Sequence, residues 1–296
     1  MRKLRITISE KNLAGKIQPN LLHYEATRAS FSWESARSAL SGLEGGGLNI
    51  AHECVDRHVN AGHGERIAFR WLQRDGGSLD FSYALLGNLT SQFAHVLEHL
   101  GVKRGEKVFT LLGRVPEFPI TALGTLKRGA VFCPLFSAFG PEPVRARLVR
   151  GEAKVLVTTE SLYQRKVEPI RELVPSLKHV LLLREGRGPL PKGCADFDAL
   201  LEVAERAYQV IPTHSEDPAI LHFTSGTTGA PKGAMHAHGA VLAHYWTGKY
   251  ALDFHANDIF WCTADPGWIT GTSYGILAPL ANGITSLLDE AEFDPE

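Results

Sequence analysis

From Ile50 onward, short runs rich in β-branched and aromatic residues alternate with segments whose apolar residues recur every three or four positions. That alternation admits few folds, because it is the pattern of βα units wound around a largely parallel sheet. Strands are predicted at KVFTLL (107–112), AVFCPLF (130–136), KVLVTT (154–159) and HVLLL (179–183), and helices at 116–128, 141–150 and 196–205. The strand runs are almost continuously apolar, as strands covered on both faces must be. Another helix is predicted from Ser82 to Leu100. Its apolar residues Leu85, Leu86, Leu89, Phe93, Val96, Leu97 and Leu100 share one face, Ser82 can cap the start and Gly101 can end it. The expected class is α/β. Residues 1–48 lack this periodicity and close on Gly45 to Gly47, so they read as an irregular N-terminal extension. Residues 49–296 read as one globular unit without internal repeat or long linker.

Composition removes several classes of function. The 296 residues are 44% hydrophobic and 21% charged, enough for a substantial core. Lys and Arg number 31 against 32 Asp and Glu, with no block of one sign, so the footprint expected for nucleic acid or an anionic membrane is absent. Cys54, Cys133, Cys194 and Cys262 form no CxxC pair, which disfavours a zinc knot or a thiol redox motif and points to a reducing, cytoplasmic setting. The basic start MRKLR leads into no apolar core of signal-peptide length, and no stretch approaches the roughly 18 apolar residues of a membrane span.

The segment LHFTSGTTGAPKG (221–233) carries the most chemistry. Gly226, Gly229 and Gly233 let backbone N–H groups approach an anion, Thr224, Ser225, Thr227 and Thr228 add hydroxyl donors, and Lys232 adds a compact positive charge. Together they suit a polyphosphate. The order differs from the common nucleoside-triphosphatase loop, where Gly-Lys precedes Ser or Thr; here Pro231 precedes Lys232 and Gly233 follows it. A loose Gly/Ser/Thr cluster is more often a surface turn, but the ordered string is far more specific.

TSGTTGAPKG resembles the phosphate-binding signature of the AMP-forming acyl-CoA synthetase superfamily, matching every constrained position. WCTADPGWITGTSYGILAPLANG (261–283) resembles the acetyl-CoA synthetase group in particular, and weaker similarity runs through RGAVFCPLFSAFGPEPVRARL (128–148) to NIAHECVDRH (49–58). The resemblance implies the N-terminal domain of an acyl-adenylate-forming enzyme, with parallel and mixed sheets covered by helices. It implies a reaction in which a carboxylate attacks the α-phosphorus of ATP, releasing pyrophosphate, before the CoA thiol displaces AMP. By the same resemblance Thr224, Ser225, Gly226, Thr227, Thr228, Gly229 and Lys232 would hold the β- and γ-phosphates, with Lys232 the catalytic cation. Trp268, Ile269 and Thr270 would form one wall of a small acyl pocket, in which Ile269 limits chain length. CoA would meet basic residues near Arg165 and Lys166. His236 and His238 follow the loop and are given no catalytic role, since isolated histidines are more often packed or solvated.

The sequence reaches only about half the length the resemblance implies and ends on DEAEFDPE from Asp289, where relatives turn through a glycine. The adenine pocket, the acid that holds the ribose, the acidic Mg2+ ligand and a mobile domain with its lysine are expected in the absent half, so no metal ligand is assigned. Little ligase activity is expected of the polypeptide alone, and a complementary chain or homo-oligomer is a natural partner.

Two other readings compete. His95, Glu98 and His99 spell HxxEH, in which two imidazoles four apart on a helix could share zinc; they fall opposite the apolar face, which favours a solvated surface. A non-catalytic remnant or interaction module would keep the fold without the reaction.

Overall fold

The computed structural model describes residues 17–224 and 230–291. Eleven strands are found among them: β1 (Ile67–Leu72), β2 (Ser78–Ser82), β3 (Lys107–Leu111), β4 (Val131–Leu135), β5 (Ala153–Thr159), β6 (His179–Leu183), β7 (Cys194–Asp196), β8 (Pro218–Thr224), β9 (Lys232–Ala237), β10 (Ile259–Trp261) and β11 (Thr285–Asp289). They form a seven-stranded sheet ordered β7-β6-β5-β3-β4-β8-β9 and a four-stranded sheet ordered β10-β11-β1-β2. The larger sheet is parallel except for β9, which pairs antiparallel with β8. The smaller is mixed, with β1 parallel to β11 and antiparallel to β2.

Strand alternation divides the core. Val108, Phe132, Val155 and Val157 pack with the helices Tyr83–His99 and Glu117–Lys127 and with β1, filling the space between the sheets. Their neighbours Phe109, Cys133 and Leu156 turn the other way and pack with Val144 and Leu148 of the helix Pro141–Arg150. Both faces of the central strands are buried, as their apolar runs require. The two inner helices approach closely at Gly124, where a Cβ would lie 2.8 Å from the Thr90 carbonyl oxygen and 2.9 Å from Phe93 Cβ.

The helix Tyr83–His99 starts as its capping residue dictates: Ser82 Oγ accepts the Leu85 N–H, and Gly101 adopts φ +70° after the last turn. Residues 17–48 include the helices Tyr24–Ser30 and Trp33–Arg37; Leu40 and Leu48 are buried in the main core, and Trp246 Nε1 donates to the Ala36 carbonyl.

Pro134 lies inside β4 and has no N–H to give. Pairing between β4 and β8 registers only at Phe132↔Ile220. Beyond that point the carboxyl ends of the two strands flank the segment that follows β10.

Candidate functional site

In an open parallel sheet, ligands bind outside the carboxyl ends of the strands, near where the winding reverses. Here the reversal falls between β3 and β5. A cleft of about 750 Å³ lies at this edge, lined by Gly113 and Arg114 after β3, Phe136 and Ser137 after β4, and Ser161, Arg165 and Lys166 after β5.

Of the residues expected to bind phosphate, Thr224 and Lys232 lie at the same edge, on the hairpin that begins with β8, two strands from β3. Thr224 and Lys232 are register partners at the open end of the β8–β9 hairpin, both exposed. Ser225, Gly226, Thr227, Thr228 and Gly229 lie outside the described residues. Gly233 packs tightly under the mouth of the hairpin, since a Cβ there would meet Leu221 Cδ1 at 2.9 Å.

Trp268 precedes the short helix Ile269–Thr272, and Trp268, Ile269 and Thr270 are all exposed, Trp268 at 47% and Ile269 at 44%. Without the resemblance, a buried Trp/Ile pair would be the ordinary expectation; the two side chains instead stand at the surface. Three contacts hold this segment between β4 and β8. The Trp268 ring stacks on Phe136 with centroids 5.4 Å apart and planes within 6°. Ser137 Oγ donates to Asp265 Oδ2 at 2.8 Å. His222, on β8, lies 3.4 Å from Thr272 Oγ1, and that hydroxyl donates to the Pro266 carbonyl at 2.6 Å. Gly267 is required, because a Cβ would run into the Leu135 carbonyl. Residues 268–270, expected to form an acyl wall, are thus held between β4 and β8, and β8 also carries the hairpin expected to bind phosphate.

The basic pair divides its work. Lys166 Nζ donates to the Ser137 carbonyl at 2.6 Å, and burial lowers its pKa. Arg165 is exposed and, among the described residues, is anchored by Nε to the Ser161 carbonyl. Asp265 has its pKa raised by burial, against the opposing effect of hydrogen bonds from Ser137 and Gly267 and of the Arg114 charge.

His238 is fully buried, and its Nδ1 accepts the Ile50 N–H at 3.1 Å, which makes it a structural tie between distant segments. His236 belongs to β9 and packs edge-on to His222 with centroids 5.5 Å apart. The HxxEH residues do not share one centre: His95 Nδ1 lies 3.8 Å from Glu98, but His95 Nε2 is bonded to the Ala207 carbonyl at 2.7 Å, His99 Nδ1 faces the His95 carbonyl, and Glu98 also reaches Arg128 at 4.0 Å. Among the described residues no group of His, Cys, Asp and Glu is arranged to hold a metal ion, and no helix is long and apolar enough to cross a membrane.

Sequence reasoning assigned nothing to Phe136, Ser137 or Asp265, although all three lie in segments it singled out. The Asp-Pro-Gly turn was a signal that position 265 organises backbone. Its partner 128 residues away was not.

Comparison with known proteins places these segments in context. The family described as AMP-binding enzyme matches residues 56–296. The acetyl-coenzyme A synthetase of Bacillus subtilis is 38% identical over 280 residues, covering 94% of this chain and 48% of the relative. That of Escherichia coli K12 is 33% identical, covering 93% and 44%. A crystal structure of Brucella canis acyl-CoA synthetase superposes with a TM-score of 0.84 at 30% identity, covering 92% of this chain and 48% of that one. The chain spans about half the length of the curated relatives it matches.

Proposed function

The chain belongs to the AMP-binding enzyme family, and from that premise we propose that it is the N-terminal part of an AMP-forming acetate–CoA ligase. The substrates are acetate or another short carboxylate, ATP and CoA. In the first step a carboxylate oxygen attacks the α-phosphorus, the bond to the β-phosphate bridging oxygen breaks and pyrophosphate leaves. In the second the CoA thiol attacks the acyl carbon, the acyl–phosphate bond breaks, AMP departs and the thiol proton passes to solvent.

Bringing an anionic nucleophile to an anionic phosphate demands positive charge around the departing pyrophosphate. Lys232 supplies it at the mouth of the β8–β9 hairpin, and Ser225, Gly226, Thr227, Thr228 and Gly229 are assigned to the phosphates with Thr224. Trp268, Ile269 and Thr270 form the acyl wall, and Arg165 is the cation in the neighbouring cleft open to CoA phosphates. Mg2+ would neutralise phosphate oxygens in such chemistry. The described residues do not fit it, so no step of this proposal runs through it.

The observation that carries the reading is the seating of both motifs on adjacent strands, with His222 of β8 against Thr272 behind the acyl wall. Calorimetric titration with ATP tests it. Lys232→Ala should weaken binding by about 1.5–3 kcal/mol, roughly ten- to a hundredfold, as loss of a charged hydrogen bond does. Equal affinity of the two proteins would refute the assignment of the loop.

A further inference from the structure

The turn that carries the acyl wall is held by one carboxylate. Asp265 Oδ1 accepts the Gly267 N–H at 2.8 Å, and Oδ2 accepts the Ser137 hydroxyl at 2.8 Å. The Asp265 carbonyl accepts the Trp268 N–H at 2.9 Å, closing the turn from the other side. The residues flanking this contact make the aromatic stack: Phe136 precedes Ser137, and Trp268 follows Gly267. Ser137 is also gripped from behind, where Lys166 Nζ meets its carbonyl at 2.6 Å. Glycine is required twice in the turn, as a Cβ on Gly267 would strike the Leu135 carbonyl and one on Gly271 the Asp265 carbonyl. The backbone is therefore wedged, and the carboxylate sets where the two chain segments meet.

A half-exposed tryptophan has room to change rotamer. Trp268 is stacked face to face on Phe136, and Phe136 is held edge-on by Phe139 at 5.5 Å, itself covered by the Arg147 guanidinium at 4.1 Å. A shift of Ser137 would move Phe136, and with it the surface on which Trp268 rests.

We infer that Asp265 is a positioning residue: through Ser137 it fixes the Phe136–Trp268 stack, and the stack sets the length of carboxylate that the acyl wall admits. This rests on the reading of residues 268–270 as that wall. Asparagine can keep both links, accepting from Gly267 with its oxygen and donating to the Ser137 hydroxyl with its amide; alanine can keep neither.

Protein labelled with 5-fluorotryptophan should give five 19F resonances, one for each tryptophan, and Trp268→Phe identifies the one from Trp268. In Asp265→Ala and Ser137→Ala the Trp268 resonance should shift and sharpen towards that of a mobile ring. Those of Trp33, Trp71, Trp246 and Trp261 should stay in place, and Asp265→Asn should restore the Trp268 position. A Trp268 resonance unmoved in Asp265→Ala, or all five moving together, overturns the proposal. Calorimetry with the sulfamate analogues of acetyl- and butyryl-adenylate then reads selectivity. Asp265→Ala should narrow the preference for the acetyl analogue about tenfold while Asp265→Asn keeps it; an unchanged preference in Asp265→Ala overturns the link to chain length. If the 19F shifts occur while Trp268→Ala leaves the preference between the two analogues unchanged, the acyl-wall assignment fails and the Asp265–Ser137 link to the stack stands.

Discussion

Lys127 places its ammonium 2.6 Å from Asp56 Oδ1 with only 1% of its side chain exposed. The same nitrogen reaches Ser91 Oγ at 3.1 Å and the Gly87 carbonyl at 3.3 Å, so all its protons have acceptors. The pair joins the end of the helix Glu117–Lys127 to residues before β1. A buried charge that loses its partner is worse than no charge at all. Asp56→Ala should therefore cost about 3–5 kcal/mol of unfolding free energy, whereas the double change Asp56→Leu with Lys127→Met should recover most of it. Urea denaturation of the three proteins decides, and a loss below about 1 kcal/mol in Asp56→Ala would show that water reaches the ammonium.

Gly124 fixes how near the two inner helices lie. The site is in mid-helix, where alanine is ordinarily favoured over glycine by about 0.5–1 kcal/mol. Here the added methyl would sit 2.8 Å from the Thr90 carbonyl and 2.9 Å from Phe93 Cβ, so sterics win over propensity. Gly124→Ala should destabilise by about 1–3 kcal/mol, the usual cost of overpacking, and lower the thermal midpoint. An unchanged or raised midpoint would mean that the helices separate without penalty.

Much of the larger sheet was legible because its strands are buried on both faces and its helices carry their own punctuation. The strand HVLLL coincides with β6, the helix 141–150 is found as drawn, and Ser82 caps the helix that it was expected to cap. The smaller sheet was not legible. β1 and β2 are half exposed, β10 has three residues, and β1 pairs with β11 more than 200 residues on, so apolar continuity announces none of them. The Asp75-Gly76-Gly77 turn between β1 and β2, where Gly76 takes φ +87°, was a hairpin signal left unread. For the candidate site the resemblance supplied the expectation of Lys232 and of Trp268 to Thr270. The Asp265–Ser137 bond and the Phe136–Trp268 stack are tertiary, and one sequence holds no record of which distant residues meet.

Four histidines give the fold a defined acid limit. Burial pushes the pKa of His58, His222, His238 and His244 down to about 4, from an ordinary value near 6.5. Between these values the unfolded chain binds more protons than the folded one, so stability rises with pH across this window and is lost as pH falls through it. His238 has a specific reason to stay neutral, since its Nδ1 accepts the Ile50 N–H. It alone can account for up to roughly 3 kcal/mol of the stability lost across the window, at about 1.4 kcal/mol per pKa unit. His238→Asn keeps an acceptor near the Nδ1 position and removes the proton site. Its unfolding free energy should fall less steeply than the parent's between pH 6.5 and 4.5, and parallel curves would show that His238 is not the group that titrates.

Arg165 and Lys166 are neighbours with opposite expected phenotypes. The Lys166 ammonium is committed to the Ser137 carbonyl, so Lys166→Ala should lower the thermal midpoint and disturb the Trp268 environment through the chain that Ser137 anchors. Arg165 spends one N–H on Ser161, and among the described residues the rest of its guanidinium has no partner in the cleft it lines. Arg165→Ala should leave the midpoint unchanged and weaken CoA binding about three- to tenfold, the range for an exposed phosphate contact of up to about 1 kcal/mol or slightly more. That loss should shrink as salt is raised, because an exposed pair is screened over about 10 Å at 0.1 M. Calorimetry with CoA at low and high salt, beside thermal melts, separates the two residues. If both alanine variants weaken CoA equally and melt alike, Lys166 is as free as Arg165 and the Ser137 carbonyl does not hold it in solution.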